Sequence, residues 1–151
     1  MEGSGGNGLR ARMRRLADSL RGPAAPRRSS GGPRAAGEGW EDAAAKFLRK
    51  RGLKILEQNV ATRFGEIDIV AEDSGVLVFV EVKHRRTDDF GGPAAAIGRR
   101  KRGKLAAAAS EYIARRKAAR RPCRFDAVLV RGVAGEAEFT HVQDAFENPL
   151  R

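Results

Sequence analysis

Two apolar, β-branched runs joined by a short turn limit the folds open to this chain. They read FGEIDIVAE, starting at Phe64, and GVLVFVEVK, ending at Lys83, with Asp73 and Ser74 between them. Alternating β-branched residues predict strands, and a Ser-Gly pair between two such runs predicts a two-residue hairpin turn. A hairpin in the middle of the sequence indicates that the fold is built on a β-sheet.

Four charged residues of this hairpin are predicted to share one face: Glu66, Asp68, Glu81 and Lys83. A two-residue turn places Asp68 opposite Glu81 when the strands are paired outward from the turn. The same register places Glu66 opposite Lys83. Side chains alternate along each strand, so all four point to the same side. Opposed carboxylates destabilise a sheet unless a cation neutralises them, and this pair therefore requires a counter-charge.

The source of that counter-charge stays open on the sequence alone. A divalent cation is one candidate, because two carboxylates with backbone carbonyls and water match the ligands that Mg²⁺ prefers. Lys83 is another, since its ammonium neutralises part of the charge, or orients a water and stabilises a phosphoryl transition state. An ordinary half-exposed hairpin, with surface ion pairs worth about 0–1 kcal/mol each, explains the pattern equally well. The opposite face is predicted to be buried and comprises Ile67, Ile69, Val76, Val78, Val80 and Val82.

The remaining segments alternate between helix and strand patterns. Apolar residues from Trp40 to Leu48 follow a helical period that Gly52 ends, and the strand LKILEQNV comes next. A long Ala-rich helix is predicted from Pro93 to Arg121. Its apolar face comprises Ile97, Leu105, Ala108, Tyr112 and Ile113. CRFDAVLV and AEFTHV predict two last strands, so the order is α-β-β-β-α-β-β and the fold class is α/β.

Length and composition predict one folded domain with a basic tail. The 151 residues suffice for a single domain, which we place at residues 38–151. Residues 1–37 are rich in Gly, Pro, Ser and Arg and hold too few large apolar residues for a core, so they are predicted to be disordered. The single cysteine, Cys123, fits a reducing compartment, and no apolar run is long enough to span a bilayer. These features predict a soluble, cytoplasmic protein.

The charge balance predicts a polyanionic partner. Basic residues outnumber acidic ones by 30 to 19, a net charge of +11, which favours nucleic acid or an anionic membrane face. Five cations lie near the start of the second predicted helix: Arg99, Arg100, Lys101, Arg102 and Lys104. Such a run neutralises several phosphates without reading base sequence, and a solvated helix face is the alternative. Arg85 and Arg86, beyond the hairpin, are candidates for contacts to a nucleic-acid backbone or belong to a surface loop.

An acid on one strand followed by Glu-Val-Lys on the next resembles the signature of PD-(D/E)XK nucleases, with Asp68 as the acid and Glu81–Lys83 as the E-x-K segment. Longer stretches resemble the bacterial YraN-like family of uncharacterised proteins over about residues 37–148: EDAAAKFLRKRGLKILEQN, RFGEIDIVAED, LVFVEVKHRR, GGPAAAI and CRFDAVLV. That family is similar in fold to archaeal Holliday-junction resolvases and is assigned to the restriction-endonuclease-like superfamily. The resemblance therefore implies a restriction-endonuclease-like core, with a central mixed sheet of four to five strands flanked by helices.

The resemblance also implies roles for individual residues. Asp68 and Glu81 match the metal-binding acids, and the backbone carbonyl of Val82 is the implied third ligand for Mg²⁺ or Mn²⁺. Lys83 matches the catalytic lysine. Glu41, on the first helix, matches an acid that points into the site of resolvase-like relatives, and a solvated acid at the helix N-terminus is the alternative. A further acid, at position 126 in CRFDAVLV, is interpreted as structural rather than as another ligand.

Three functions stay open on the sequence. The first is a Mg²⁺-dependent nuclease acting on DNA, with branched DNA as a further substrate to consider. The second is a nucleic-acid-binding accessory module with the same fold and little or no catalysis, acting in DNA or RNA transactions. A membrane-surface protein that uses the arginine-rich tail is least favoured, because it leaves the hairpin acids unexplained. The resolvase-like relatives are often dimers, so a homodimer is also open.

Overall fold

A mixed five-stranded sheet forms the centre of the described part of the molecule, with one helix on each face. The computed structural model describes residues 39–85, 97–133 and 135–150. In chain order the elements are α1 (Trp40–Lys50), β1 (Lys54–Thr62), β2 (Gly65–Asp73), β3 (Val76–Arg85), α2 (Arg99–Arg115), β4 (Cys123–Arg131) and β5 (Glu138–Val142). This order confirms the predicted α/β class. The predicted tail, residues 1–37, and the predicted first turn of the second helix, residues 93–96, lie outside the described residues.

The strands lie side by side in the order of the sequence, from β1 to β5. β1, β2 and β3 form an antiparallel meander, β3 and β4 run parallel, and β5 is antiparallel to β4. A parallel pair needs a crossover connection, and α2 lies within it, which explains why a helix interrupts the strands at this point. The carboxyl-terminal ends of β3 and β4 are therefore adjacent, with Lys83 paired with Leu129.

Each face of the sheet is buried beneath one helix. Under α1 lie the strand residues Ile69, Ala71, Val78, Val80, Val128 and Val130. Under α2 lie Val70, Leu77, Phe79, Phe125, Ala127 and Leu129. Burial on both faces explains why β3 reads as a nearly continuous apolar run. The apolar faces predicted for the two helices are confirmed, since Ala44 and Leu48 of α1 and Leu105, Ala108 and Tyr112 of α2 are buried.

The hairpin between β2 and β3 has the predicted two-residue turn. Ser74 and Gly75 have positive φ angles of 48° and 87°, as a type I′ turn requires at both central residues. Asp73 pairs with Val76, and the register continues in step as far as Ile69 with Val80. The predicted register is therefore confirmed over the pairs nearest the turn.

The β2–β3 ladder ends after Ile69, one residue before the predicted pair of Asp68 with Glu81. In an antiparallel hairpin, hydrogen-bonded pairs alternate with non-hydrogen-bonded pairs. If the ladder continued, Ile67 and Val82 would form a hydrogen-bonded pair, and the N–H of Val82 would donate to the carbonyl of Ile67. The Asp68 carboxylate accepts that N–H instead, with Oδ2 2.7 Å from the nitrogen. A side chain thus replaces a main-chain acceptor, and the two strands separate at this point.

Side-chain alternation also changes at this point of β2. Ile67 packs under α2 and Ile69 packs under α1, so the prediction that they share one face was wrong. In β1, Gln58 pairs with Ile69 and Val60 pairs with Ile67. Asn59, between them, has a positive φ of 52°. A left-handed residue twists a strand pair locally. The described β2–β3 ladder has no pair beyond Ile69, so the predicted opposition of Glu66 and Lys83 was also wrong.

The second helix ends earlier than predicted. It spans Arg99–Arg115, whereas the prediction extended to Arg121. Lys117 adopts a left-handed φ of 54°, and the N–H of Ala118 hydrogen-bonds to the carbonyl of Ile113 at 3.0 Å. This is the closure of a Schellman motif, which stops the helix although lysine is not its usual residue. Neither α2 nor any other helix in the described part of the chain is long and apolar enough to cross a membrane.

Candidate active site

Asp68 lies where β2 and β3 separate. Its carboxylate oxygen Oδ2 accepts the backbone N–H of Val82 at 2.7 Å. Burial and the nearby charge of Glu81 raise the pKa of Asp68 from 3.8 to about 7, although the Val82 N–H and the charge of Lys101 favour the ionised form. An acid with this pKa changes readily between its two forms near neutral pH. A further cation at this place would favour the carboxylate.

Glu81 is the buried acid of the pair, with a relative exposure of 4%. Its Oε1 forms an ion pair with Nζ of Lys101, at 2.8 Å. Its Oε2 is buried without a hydrogen-bond partner in the described structure. A buried polar atom without a partner costs free energy. The carboxylate of Glu81 is therefore only partly satisfied and can accept a further cation or donor.

Two lysines beside the acids have pKa shifts in opposite directions. Burial, with the charges of Arg85 and Lys101, lowers the pKa of Lys83, although the charge of Glu81 acts the other way. Burial also acts to lower the pKa of Lys101, but the hydrogen bond to Glu81 and the charges of the nearby acids outweigh it and raise that pKa. Lys101 therefore holds its proton as the partner of Glu81, whereas Lys83 releases its proton more readily than an exposed lysine.

Helix α1 brings a third acid towards the pair. Glu41 lies in the first turn of α1, and its charge adds to the rise in the pKa of Asp68. The preceding residue, Trp40, stacks on His84 with ring centroids 4.2 Å apart and an interplanar angle of 15°. Because His84 directly follows Lys83, this stack fixes the start of α1 against the E-x-K end of β3.

The acids offer part of the ligand set that a hydrated divalent cation needs. Asp68 and Glu81 supply carboxylates, and no donor among the described residues reaches Oε2 of Glu81. Among residues 39–85, 97–133 and 135–150, no three or more His, Cys, Asp and Glu side chains are arranged to hold a metal ion by themselves. Two carboxylates with the Val82 carbonyl and several waters fit Mg²⁺, which keeps much of its hydration shell. They do not fit a structural Zn²⁺, which requires four protein ligands.

The predicted basic run divides into cations with different surroundings. Arg99, Arg100, Lys101 and Lys104 are all exposed on the first turns of α2. Lys101 differs from the other three, because its side chain, 52% exposed, pairs with the buried Glu81. Arg102 donates from Nε to the carbonyl of Ile97 at 2.6 Å, and its guanidinium lies 5.6 Å from the ring centroid of Phe146. Arg99, Arg100 and Lys104 suit phosphate contacts, whereas Lys101 belongs to the acid pair and Arg102 supports the start of the helix.

The other charged residues predicted for the site lie at its periphery. Glu66 is exposed on β2, and its charge acts on Lys101. Arg85 is exposed at the end of β3 and donates from Nη1 to the carbonyl of His84 at 2.9 Å. Arg86 lies outside the described residues.

Asp126 lies on the opposite face of the sheet from Glu81, since its neighbours on β4 pack under α2. It is fully buried. Its carboxylate accepts hydrogen bonds from Nε of Arg124 at 3.0 Å, from Nε2 of His141 at 2.8 Å and from the N–H of Asp144 at 3.1 Å. These contacts join β4 to β5 and to the turn after it, which is the environment of a structural acid.

A cavity of about 1060 Å³ lies at the far end of α2. Its lining includes Leu56, Phe64, Leu77, Ile113 and Ala118, and it does not include the acid pair. The acids and Lys83 lie instead near the ends of β3 and α1. A small molecule enclosed in this cavity would therefore not reach them.

Lys101 is the residue whose surroundings the sequence prediction missed. It was assigned to the phosphate-binding run, but it lies in α2 four residues before Leu105, which is buried. Residues four apart share one helix face. The periodicity therefore contained the signal that Lys101 points towards the sheet, and the cations on either side of it obscured that signal.

Fold and site together define an α/β protein whose five-stranded mixed sheet carries a buried acid pair, flanked by two lysines, where its central hairpin separates. The chain belongs to the UPF0102 family, because the sequence model of the "Uncharacterised protein family UPF0102" matches residues 40–130. This confirms the YraN-like resemblance.

Relatives from distant bacteria match most of the chain. A UPF0102 protein of Symbiobacterium thermophilum is 47% identical over 114 residues, which cover 75% of this chain and 97% of the relative. A UPF0102 protein of Syntrophotalea carbinolica is 44% identical over 111 residues, covering 74% of this chain and 90% of the relative. A UPF0102 protein of Burkholderia pseudomallei is 43% identical over 128 residues, covering 82% and 85%. The described domain is therefore similar to nearly complete family members.

Proposed function

We propose that this protein is a Mg²⁺- or Mn²⁺-dependent nuclease of the PD-(D/E)XK type that hydrolyses phosphodiester bonds of DNA in the cytoplasm. The observation that carries the proposal is the meeting of Asp68 with the E-x-K segment, Glu81–Lys83, at the end of the β2–β3 ladder. The order of elements and the mixed sheet agree with a restriction-endonuclease-like core. The resemblance to resolvases makes branched DNA the first structured substrate to test.

In the proposed site Asp68, Glu81 and the backbone carbonyl of Val82 hold the divalent cation. Such an ion, when bound, polarises a phosphate oxygen and lowers the pKa of water. The protein contributes an acid pair whose mutual repulsion favours a cation. The hydrogen bond from the Val82 N–H fixes one carboxylate relative to the E-x-K backbone, so the ligands keep their positions without the ion.

Lys83 is the proposed catalytic lysine. It lies two residues after Glu81 on the same face of β3, and burial with the charges of Arg85 and Lys101 lowers its pKa. A lysine in these surroundings orients the attacking water and stabilises the negative charge that develops on the phosphoryl group. Glu41 assists from α1, where its carboxylate orients water near Asp68.

The DNA backbone is held by the exposed start of α2. Arg99, Arg100 and Lys104 are exposed there, on the helix whose Lys101 reaches Glu81. Cations at the N-terminus of a helix oppose its macrodipole, and phosphate groups relieve that repulsion. Contacts of this kind position a duplex without reading its sequence, which suits an enzyme that recognises the structure of DNA.

A second candidate is a nucleic-acid-binding module without catalysis, acting on DNA or RNA. One observation favours it, namely that Nζ of Lys101 already neutralises Glu81 at 2.8 Å. A fold that supplies its own counter-charge to Glu81 does not depend on a metal ion for that charge. The phosphate contacts of α2 would be unaffected by this difference, so binding alone does not distinguish the two candidates.

Cleavage assays on linear, supercoiled and four-way-junction DNA with Mg²⁺ or Mn²⁺ test the proposal. The parent is compared with Asp68→Asn and with Glu66→Gln, a matched control in which an exposed acid of the same strand loses its charge. Lys83→Met is compared in the same way with Lys50→Met, which removes an exposed lysine from the last turn of α1. We expect Asp68→Asn and Lys83→Met to abolish cleavage while both controls retain it.

Two outcomes separate the candidates. Cleavage lost in Asp68→Asn and Lys83→Met, with DNA binding retained, supports the nuclease. Binding without cleavage of any substrate under either metal favours the non-catalytic module, and the same binding assay with single- and double-stranded RNA then identifies its nucleic acid.

A further inference from the structure

We infer that Lys101 is an internal counter-ion of the acid pair and that a divalent cation competes with it for Glu81. The inference rests on the proposed function, because it takes Asp68 and Glu81 as the metal ligands. It adds a regulatory property to the site, since the protein itself supplies the competitor that a metal ion must displace.

The ion pair joins a fixed partner to a mobile one. Nζ of Lys101 lies 2.8 Å from Oε1 of Glu81, and the side chains are 52% and 5% exposed. The Glu81 carboxylate is held in the sheet beneath α2, whereas the long stem of Lys101 reaches it from solvent. When Lys101 withdraws, its ammonium is rehydrated, and the buried carboxylate of Glu81 is left unpaired until another cation neutralises it.

Lys101 satisfies only half of the Glu81 carboxylate. The second oxygen, Oε2, is buried without a hydrogen-bond partner in the described structure. One ammonium group carries a single positive charge, whereas Asp68 and Glu81 carry two negative charges when both are ionised. A divalent cation neutralises both acids at once, which a single lysine does not.

The charges that attract Lys101 are those that would attract the metal ion. Glu81, Asp68 and Glu66 all act on Lys101 to favour its charged form. Two cations at one carboxylate repel each other strongly in a partly buried site. Occupation by the metal and the Lys101–Glu81 ion pair therefore oppose one another, and weakening either one strengthens the other.

Calorimetric titration of the full chain with Mn²⁺ tests this competition. The variants are Lys101→Met and, as matched control, Lys104→Met, which removes the same charge from the exposed side of the same helix. We expect Lys101→Met to bind Mn²⁺ on the order of tenfold more tightly than the parent, within the usual range of coupling between two ligands. The control is expected to bind as the parent does.

A second variant tests the same competition if Lys101→Met does not fold. Lys101→Gln keeps a hydrogen-bond donor near Glu81 without the charge and is expected to tighten Mn²⁺ binding as well. Thermal unfolding in EDTA gives a metal-free readout, in which Lys101→Met is expected to melt below Lys104→Met. Added Mn²⁺ is expected to raise the melting temperature of Lys101→Met more than that of the parent.

Unchanged or weaker Mn²⁺ binding in both Lys101 variants would overturn the competition. The metal site itself is checked separately by Asp68→Ala, which is expected to remove Mn²⁺ binding from the parent. If Asp68→Ala removes binding and the Lys101 variants behave as the parent, the counter-ion role fails and the proposed nuclease site stands. If neither parent nor Lys101 variants bind Mn²⁺, the counter-ion role and the metal site fail together.

Discussion

The carboxylate of Asp68 accepts the main-chain N–H of Val82 at 2.7 Å, in the place that a strand carbonyl would take in a continued hairpin. The same side chain lies beside Glu81, whose charge raises its pKa. One residue therefore ends the β2–β3 ladder and contributes a charge to the candidate site. Its structural and chemical roles can be separated by substitution.

Asp68→Ala and Asp68→Asn are expected to differ in stability. The alanine variant leaves the Val82 N–H without an acceptor, which costs about 1–3 kcal/mol for a buried donor. Asparagine retains a carbonyl acceptor and removes the repulsion with Glu81, so it is expected to be at least as stable as the parent. Urea unfolding in EDTA measures both variants. Equal stability of the two would show that the hydrogen bond does not support the hairpin.

Local chemistry explains which part of the hairpin the sequence predicted. Two residues separate the strands, Gly75 adopts a positive φ without steric cost, and the turn determines the register of the pairs next to it. The end of the ladder depends instead on a side chain that replaces a backbone acceptor. The apolar pattern does not encode that replacement, and neither the break at Asp68 nor the different face of Ile67 was predicted.

The candidate site was likewise predicted only in part. The meeting of Asp68 with Glu81 follows from register and was predicted, although pairing ends just before them. The ion pair of Lys101 with Glu81 depends on how α2 crosses the sheet, which is a tertiary property. Composition placed Lys101 among phosphate-binding residues, whereas its spacing from the buried Leu105 lets its side chain reach the sheet.

The salt dependence of DNA binding is expected to show that the cations of α2 contact DNA phosphates. Each phosphate contact contributes about 0.9 to the slope of log K against log salt. Arg99→Ser combined with Arg100→Ser is therefore expected to lower the slope by about 2. The control Arg49→Ser with Lys50→Ser removes the same charge from the last turn of α1. Fluorescence anisotropy across a salt series measures both, and equal slopes would exclude α2 as the DNA contact.

The Trp40–His84 stack is expected to hold the start of α1. Trp40→Ala removes the ring contact and the half-buried indole, and is expected to destabilise the fold by about 2 kcal/mol. Trp40→Phe retains a ring that stacks on His84 and is expected to lose less than half of that. Urea unfolding followed by circular dichroism compares the two. An equal loss in both variants would show that a ring stacked on His84 does not stabilise this end of the helix.

The buried Asp126 is expected to support stability and not catalysis. Asp126→Ala leaves Arg124 and His141 without their shared acceptor and is expected to cost about 3–5 kcal/mol. Asp73→Ala removes a more exposed partner of Arg124 and is expected to cost about 1 kcal/mol. Cleavage per folded molecule, measured at a temperature where the variant is folded, is expected to equal that of the parent. A loss of turnover in folded Asp126→Ala would place this acid in the active site.

The ionisation of Tyr112 is expected to make stability fall at alkaline pH. Tyr112 is the only tyrosine of the chain, so its phenolate absorbance can be followed without interference from another tyrosine. Burial, followed by the hydrogen bond to Glu57 at 2.8 Å and the charge of that acid, raises the pKa of Tyr112 from 10.0 to about 12. Arg116 opposes this rise without reversing it.

Between these two pKa values the folded state holds a proton that the unfolded state has lost. The contribution of Tyr112 to stability is therefore complete below pH 10 and is lost as pH rises towards 12. Spectrophotometric titration is expected to give a midpoint near 12 in the native protein and near 10 in urea, with circular dichroism recorded at each pH to verify the fold. Glu57→Gln is expected to lower the native midpoint, because the charge opposing phenolate formation is removed. A native midpoint equal to that in urea would mean that Tyr112 is neither buried nor bonded to Glu57 in solution.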